Sequence, residues 1–338
     1  MRKSLVLRSS SGVHAFCRFP TKSAGPFGRG SLRHLALCST SVGEVIVLLA
    51  PGQGSQAAGM LTPWLDVPGA AADVAEWSHV SGLDLLRLGT TADADELRDT
   101  AIAQPLLTAT ALLSARALDL TPDVVCGHSV GELAALALAG VLDRTTAIRL
   151  AAERGRAMAI AASNSPTGLA AVLGGDGDEV LRAIAALSLE LATVNVAGQV
   201  VVGGPLRELD ELAAHPPAGA RVRRLETAGA FHTSAMDVAV PRMSELVASL
   251  NPAEPSCVVV ANADGSVVTK GRELLDRLVG QLTGPVRFDL CLQTIAGLNP
   301  TRVIELAPGG TLAAIAKRAL PGVTVTALKS AADLPVSA

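Results

Sequence analysis

The feature that most restricts the fold is a strand, a five-residue turn and a helix in immediate succession. The apolar run at residues 124–126 leads into Gly127-His128-Ser129-Val130-Gly131, and residues 132–139 continue with helical character. A G-x-S-x-G turn between strand and helix needs its glycines because the flanking elements crowd it, and it holds the serine oxygen clear of the backbone. The helix that follows points its positive end at that oxygen, which favours a developing oxyanion. An unreactive serine in a glycine-rich turn is the plain alternative. The strand and helix on either side give the motif its weight.

The rest of the chain alternates in the same way. Residues 45–50 form a continuous apolar run ending in Pro51-Gly52, as a buried parallel strand should. Residues 101–118 read as a mostly apolar helix and 143–162 as a second, with Asp143 as its N-cap. Strands at 257–261, 302–306 and 323–328 enclose helices at 272–282 and 311–319. Between them, residues 166–229 carry strands at 169–173, 191–196, 200–202 and 221–226 and helices at 178–186 and 206–215. That order is β-α-β-β-α-β, a ferredoxin-like unit, and Pro166, Gly168, Pro216, Pro217 and Gly219 punctuate it. The expected fold class is therefore α/β. A hydrolase-like core with a mostly parallel sheet flanked by helices comprises residues 42–165 and 230–338, with a ferredoxin-like α+β subdomain inserted at 166–229.

Composition narrows the function. Hydrophobic residues make up 49% of the chain and charged residues 17%, which excludes a disordered chain. A formal charge of −3 gives no field for nucleic acid. No uninterrupted apolar run reaches the ~20 residues that span a bilayer, so no membrane partner is expected. The five cysteines, Cys17, Cys38, Cys126, Cys257 and Cys291, include no metal-spaced pair. Those at 126, 257 and 291 sit among apolar residues and read as buried thiols, which points to a reducing, cytoplasmic setting. Residues 1–41 carry seven Lys and Arg residues and no Asp or Glu. Such a leader resembles a transit peptide. The preferred reading is a basic, disordered extension upstream of the fold, or a start site placed too early.

Ser129 needs a base. His128 is adjacent, so its side chain should diverge from that of the serine. His14 and His34 lie in the leader, and His79 and His215 look like surface residues. His232 sits in Gly229-Ala230-Phe231-His232-Thr233, an apolar loop just after the inserted unit, where a cleft should open. From the residues alone, a base and a structural histidine are both open readings of His232.

Six segments in order resemble the malonyl-CoA:acyl carrier protein transacylases of fatty-acid synthesis. These are Ala50-Pro51-Gly52-Gln53-Gly54-Ser55-Gln56, Gly127-His128-Ser129-Val130-Gly131-Glu132, Glu153-Arg154-Gly155-Arg156-Ala157-Met158, Asn195-Val196-Ala197-Gly198-Gln199-Val200-Val201, Ala230-Phe231-His232 and Gln281-Leu282-Thr283-Gly284-Pro285-Val286. The resemblance spans about residues 45–330. It implies Ser129 as nucleophile and His232 as general base, with a backbone carbonyl at Gln281 in place of a carboxylate. It implies the N–H groups of Gln56 and Val130 as oxyanion hole, and Arg154 as partner of the malonyl carboxylate. Asn195, Phe231 and Gln281 would contact substrate, and Phe231 matches the malonyl-selective form of the family. Thr193 departs from it, since a second Asn is frequent there.

Each implied role has a physical reason. The loop at 52–56 follows a strand, so its amides lie at the carboxyl edge of the sheet, where ligands bind. The fork of an arginine suits a planar carboxylate, and an acetyl group would leave that cation unpaired. Without the resemblance, Arg154 would read as a surface residue paired with Glu153. The implied partners are malonyl-CoA and an acyl carrier protein, with no metal or cofactor and a monomeric enzyme. Arg221, Arg223 and Arg224 are candidates to face an acidic carrier. The rival readings are a serine esterase or thioesterase, an acyltransferase of a polyketide system, and a non-catalytic acyl-binding module.

Overall fold

The structure is a computed structural model and describes residues 43–335; the expectation for residues 1–41 lies outside the described residues. In chain order the strands are β1 (Ile46–Ala50), β2 (Val124–Gly127), β3 (Thr167–Gly174), β4 (Glu190–Val196), β5 (Gln199–Pro205), β6 (Ala220–Leu225), β7 (Val258–Val260), β8 (Val267–Val268), β9 (Val286–Arg287), β10 (Arg302–Glu305) and β11 (Thr324–Ala327).

The larger sheet runs β11-β10-β1-β2-β7-β8. Every pairing in it is parallel except the short β7–β8 hairpin. Alternate residues of β1 enter different cores, as the two-residue period of a strand requires. Leu48 packs with helices Thr100–Leu118 and Arg144–Ser163 on one face. Val47 and Leu49 pack with helices Phe288–Gly297 and Thr311–Ala319 on the other. Burial on both faces is why this strand reads as an unbroken apolar run.

Helix Thr100–Leu118 is long and apolar enough to cross a bilayer by length and composition, yet 78% of its apolar window is buried inside the protein. It lies tightly against Arg144–Ser163: a Cβ on Gly155 would stand 2.6 Å from the carbonyl oxygen of Thr100. Asp143 caps the second helix, accepting from the N–H of Thr146 at 2.7 Å. That cap and that close approach set the depth at which Arg154 enters the site.

The smaller sheet runs β6-β3-β5-β4-β9. β3 to β6 come from the inserted segment and pair antiparallel. β9 comes from the far side of the chain and adds in parallel, with Thr193 opposite Val286. Ala170 and Val172 of β3 pack under helices Gly177–Ala186 and Leu206–Ala214, while Leu169 and Ala171 face a cleft between the two sheets. Helices Ala70–Ser81, Val240–Ala248 and Phe288–Gly297, and strands β8 and β9, were not anticipated from the sequence.

Candidate active site

The turn after β2 is as tight as its glycines imply. A Cβ on Gly127 would lie 2.0 Å from the carbonyl carbon of Gly131, and one on Gly131 would lie 2.2 Å from the oxygen of Ala50. Ser129 is held at φ 54°, in the left-handed region that side chains rarely adopt. Asn262, buried just beyond β7, ties both arms of this turn. Its Oδ1 accepts from the N–H of Ser129 at 2.8 Å, and its Nδ2 donates to the carbonyl of Gly127 at 2.6 Å.

Ser129 Oγ lies 2.7 Å from His232 Nε2, and His232 Nδ1 lies 2.7 Å from the backbone oxygen of Gln281. That carbonyl can only accept, so it assigns the proton to Nδ1 and leaves the Nε2 lone pair facing the serine hydroxyl. Burial, and next the charge of Arg154, push the His232 pKa down to about 3. The ring is therefore neutral at physiological pH, with its Nε2 lone pair directed at the serine hydroxyl.

Arg154 is 1% exposed. Its Nη1 donates to Gln104 Oε1 at 2.7 Å, and its Nη2 donates to Gln281 Oε1 at 2.8 Å and to Ser129 Oγ at 3.2 Å. Burial lowers its pKa to about 10, so it remains a cation. Gln281 is the junction of the network. Its Nε2 donates to Glu132 Oε2 at 2.6 Å and to Asn262 Oδ1 at 3.0 Å. Glu132 Oε1 accepts the N–H of Asn262 at 2.7 Å.

Ser129, His232 and Gln104 line a cleft of about 420 Å³ that opens between the two sheets, and Arg154, Gln281, Glu132 and Asn262 are buried behind them. Its walls include Gln53, Gln56, Thr193, Asn195, Phe231 and Leu312. The loop after β1 is braced internally, with the N–H of Gly54 donating to Gln56 Oε1 at 2.7 Å. Val130 begins the turn into helix Gly131–Leu138, and its side chain is buried in the core.

The structure thus gathers Ser129, His232, Arg154, Gln56 and Phe231 at one site. It treats two other expected substrate contacts differently. Gln281, like Arg154, is buried and does not line the cleft, and both ends of its amide are engaged by protein. Asn195 lines the cleft but its Oδ1 is 3.0 Å from His128 Nε2, tying β4 to the nucleophile turn. Arg154 is a buried cation, not a surface partner of Glu153, which pairs with Arg156 and Arg242 instead. Gln104, Asn262 and the carboxylate of Glu132 escaped the sequence reading. Gln104 is a polar residue inside an apolar helix, and Asn262 a polar residue at a strand's carboxyl end; those were the available signals.

Comparison with known proteins agrees with this geometry. Residues 47–335 match the acyl transferase domain family. The chain is 50% identical over 296 residues to the malonyl CoA-acyl carrier protein transacylase of Mycobacterium tuberculosis H37Rv, covering 86% of this chain and 98% of that protein. It is 30% identical over 284 residues to the corresponding protein of Bacillus subtilis, covering 81% and 90%. The crystal structure of the Mycobacterium tuberculosis transacylase superposes with a TM-score of 0.84 at 50% identity, over 86% of this chain and 98% of that one. A second structure, of a type II polyketide acyl-carrier protein in complex with its malonyl-transacylase, matches with a TM-score of 0.80 at 28% identity, over 86% and 98%. With residues 47–335 matched by the family and half of the aligned positions identical over 86% of its length, the chain belongs to the acyl transferase domain family and, within it, to the malonyl CoA-acyl carrier protein transacylases.

Proposed function

We propose that this protein moves a malonyl group from malonyl-CoA to the phosphopantetheine thiol of an acyl carrier protein, through an ester on Ser129. The observation that carries this reading is one oxygen with two partners. Ser129 Oγ faces a neutral imidazole nitrogen at 2.7 Å and a buried guanidinium at 3.2 Å.

The first half-reaction runs as follows. Ser129 Oγ attacks the thioester carbonyl while its proton passes to His232 Nε2. The carbonyl oxygen becomes an oxyanion, held by the N–H groups of Gln56 and Val130. Collapse breaks the carbon–sulfur bond, and the imidazolium returns the proton to the departing CoA sulfur. The carrier thiol then gives its proton to His232, attacks the serine ester, and Ser129 recovers the proton as it leaves. Gln281 carries no charge in this cycle; its backbone oxygen accepts from Nδ1, which fixes the tautomer of the neutral ring and the orientation of the imidazolium. Arg154 pairs with the free carboxylate of the malonyl group, and Phe231 limits the space beside it. The cycle as written balances without a metal or redox cofactor.

The inserted segment deepens the reading. In its own numbering the order β6-β3-β5-β4 is 4-1-3-2, which supports a ferredoxin-like unit at 166–229 set into a hydrolase-like core at 42–165 and 230–338. Cys126, Cys257 and Cys291 are free thiols, which suits a reducing cytoplasm. Arg221 and Arg223 are exposed on β6, the sheet edge, and are suited to an acidic carrier, whereas Arg224 is held by Asp210.

A buried cation distinguishes this site from that of a general esterase, which has no use for a carboxylate partner. The test is intact-protein mass after exposure to malonyl-CoA. The wild type should carry one malonyl group, and Ser129→Ala none. Adding carrier protein should then give malonyl-carrier; free malonate alone would indicate a hydrolase, and an unlabelled folded wild type a non-catalytic module.

A further inference from the structure

Glu132 follows the nucleophile turn, is 9% exposed, and has no contact with Ser129 Oγ or His232 among the hydrogen bonds of the described residues. The cycle above does not use it. It does meet the one side chain on which the site converges. Both its oxygens act as acceptors, toward the N–H of Asn262 and toward Gln281 Nε2.

An amide side chain can be turned end for end, and the choice matters at Gln281. In the observed orientation its oxygen receives Arg154 Nη2 and its nitrogen faces the carboxylate. Reversed, its N–H groups would meet the donors of Arg154, and its oxygen would meet an anion. An ionised carboxylate accepts only, so it selects one orientation. Glu132 is also the carboxylate whose charge acts on buried Arg154.

From this geometry we infer that Glu132 is a positioning residue: through Gln281 it sets the guanidinium of Arg154 to receive the malonyl carboxylate. The inference rests on the malonyl-transfer reading above. It separates two properties of the site. Attack by Ser129 depends on His232, the backbone oxygen of Gln281 and the turn braced by the Asn262 side chain, whereas recognition of the acyl carboxylate depends on the side-chain chain Glu132–Gln281–Arg154.

The protonation state of Glu132 follows from its surroundings. Burial raises its pKa to about 7, against the bond from Asn262 and the charges of Arg154 and Arg277, with Asp264 acting in the same sense as burial. Protonation turns one acceptor oxygen into a donor and removes the charge. Of the other titratable groups nearby, burial brings His232 down to about 3 and lowers His128, Asp264 is lowered because the bonds from Ser266 and the charge of Arg277 together outweigh its burial, and the Cys126 thiol is raised by Cys291 and by burial.

The experiment measures single-turnover acylation of the full chain by labelled malonyl-CoA and, separately, labelled acetyl-CoA. In Glu132→Gln, kcat/KM for malonyl should fall by about 10- to 100-fold, the range for a lost hydrogen bond to a charged group, while acetyl acylation stays within about twofold. An equal fall for both acyl groups would make Glu132 a brace of the nucleophile turn and overturn the inference. No change in either would overturn it too. A second measurement needs no variant. In the wild type, the malonyl-to-acetyl ratio should drop as pH falls from 8 to 5.5, with a midpoint near 7. A flat ratio refutes the inference. Failure of the wild type to take up malonyl at all would instead sink the transfer reading on which it rests.

Discussion

Replacing Arg154 by Ala removes the buried cation that stands 3.2 Å from Ser129 Oγ, the group proposed to meet the far end of a diacid. In the free protein the guanidinium directs Nη1 to Gln104 at 2.7 Å and Nη2 to Gln281 at 2.8 Å and Ser129 Oγ at 3.2 Å. On the proposed reading, a malonyl carboxylate on the Ser129 ester would meet the same fork and accept two charge-assisted bonds. Each such bond contributes about 1.5–3 kcal/mol, and desolvation of the carboxylate offsets part of the sum. A net loss of about 3–4 kcal/mol corresponds to a fall in kcat/KM for malonyl of about 10²- to 10³-fold. Acetyl has no carboxylate to lose, and in the wild type it leaves a buried cation unpaired. Its acylation should be unchanged or faster, so discrimination should collapse by about the same factor. The assay is single-turnover acyl-enzyme formation with both acyl-CoAs, alongside urea melts. Stability should fall by about 1–3 kcal/mol, because Gln104 and Gln281 each lose a donor. A folded variant that keeps the wild-type preference for malonyl would refute the assignment of Arg154.

Asn262→Ala strips the N–H of Ser129 and the carbonyl of Gly127 of their partners inside the protein. It should cost about 2–4 kcal/mol in urea unfolding and slow malonyl and acetyl acylation alike; a shift in selectivity would contradict a purely bracing role. Gly127→Ala would place a Cβ 2.0 Å and 2.1 Å from backbone atoms that cannot move independently, so soluble expression or acyl-enzyme yield should be lost, and a normally active variant would refute the close-packed turn. For pH, the His232 pKa is about 3 when folded against an ordinary 6.5. Between those values the unfolded chain binds a proton that the folded one refuses, so this contribution is full above pH 6.5 and declines as pH falls. The slope is about 1.4 kcal/mol per pH unit. Between pH 6.5 and 5 the wild type should therefore lose about 2 kcal/mol more than His232→Gln, and equal losses in paired urea melts would exclude a buried neutral imidazole.

The sequence by itself determined the features that depend on neighbours along the chain. β1 was legible because both faces of a central parallel strand are apolar, and the β-α-β-β-α-β order of the insert because each element has its own period. The nucleophile turn was legible because its glycines are local steric necessities. Asp143 was legible as a cap because a cap bonds residues three apart. Helix Phe288–Gly297 escaped because it is buried among apolar residues and offers little polar alternation. Two-residue β9 exists only because β4 is there to pair with it. The tertiary structure alone decided how the polar network closes. Asn262 meets Ser129 across 133 residues, Gln281 meets Glu132 across 149, and Gln104 meets Arg154 across 50. No periodicity records such meetings, since buried polar side chains choose partners by where the folded backbone delivers them. For that reason Gln281, expected at the substrate, is a buried joint of the polar network, and Arg154, equally plausible as a surface residue, is a buried cation beside Ser129 Oγ.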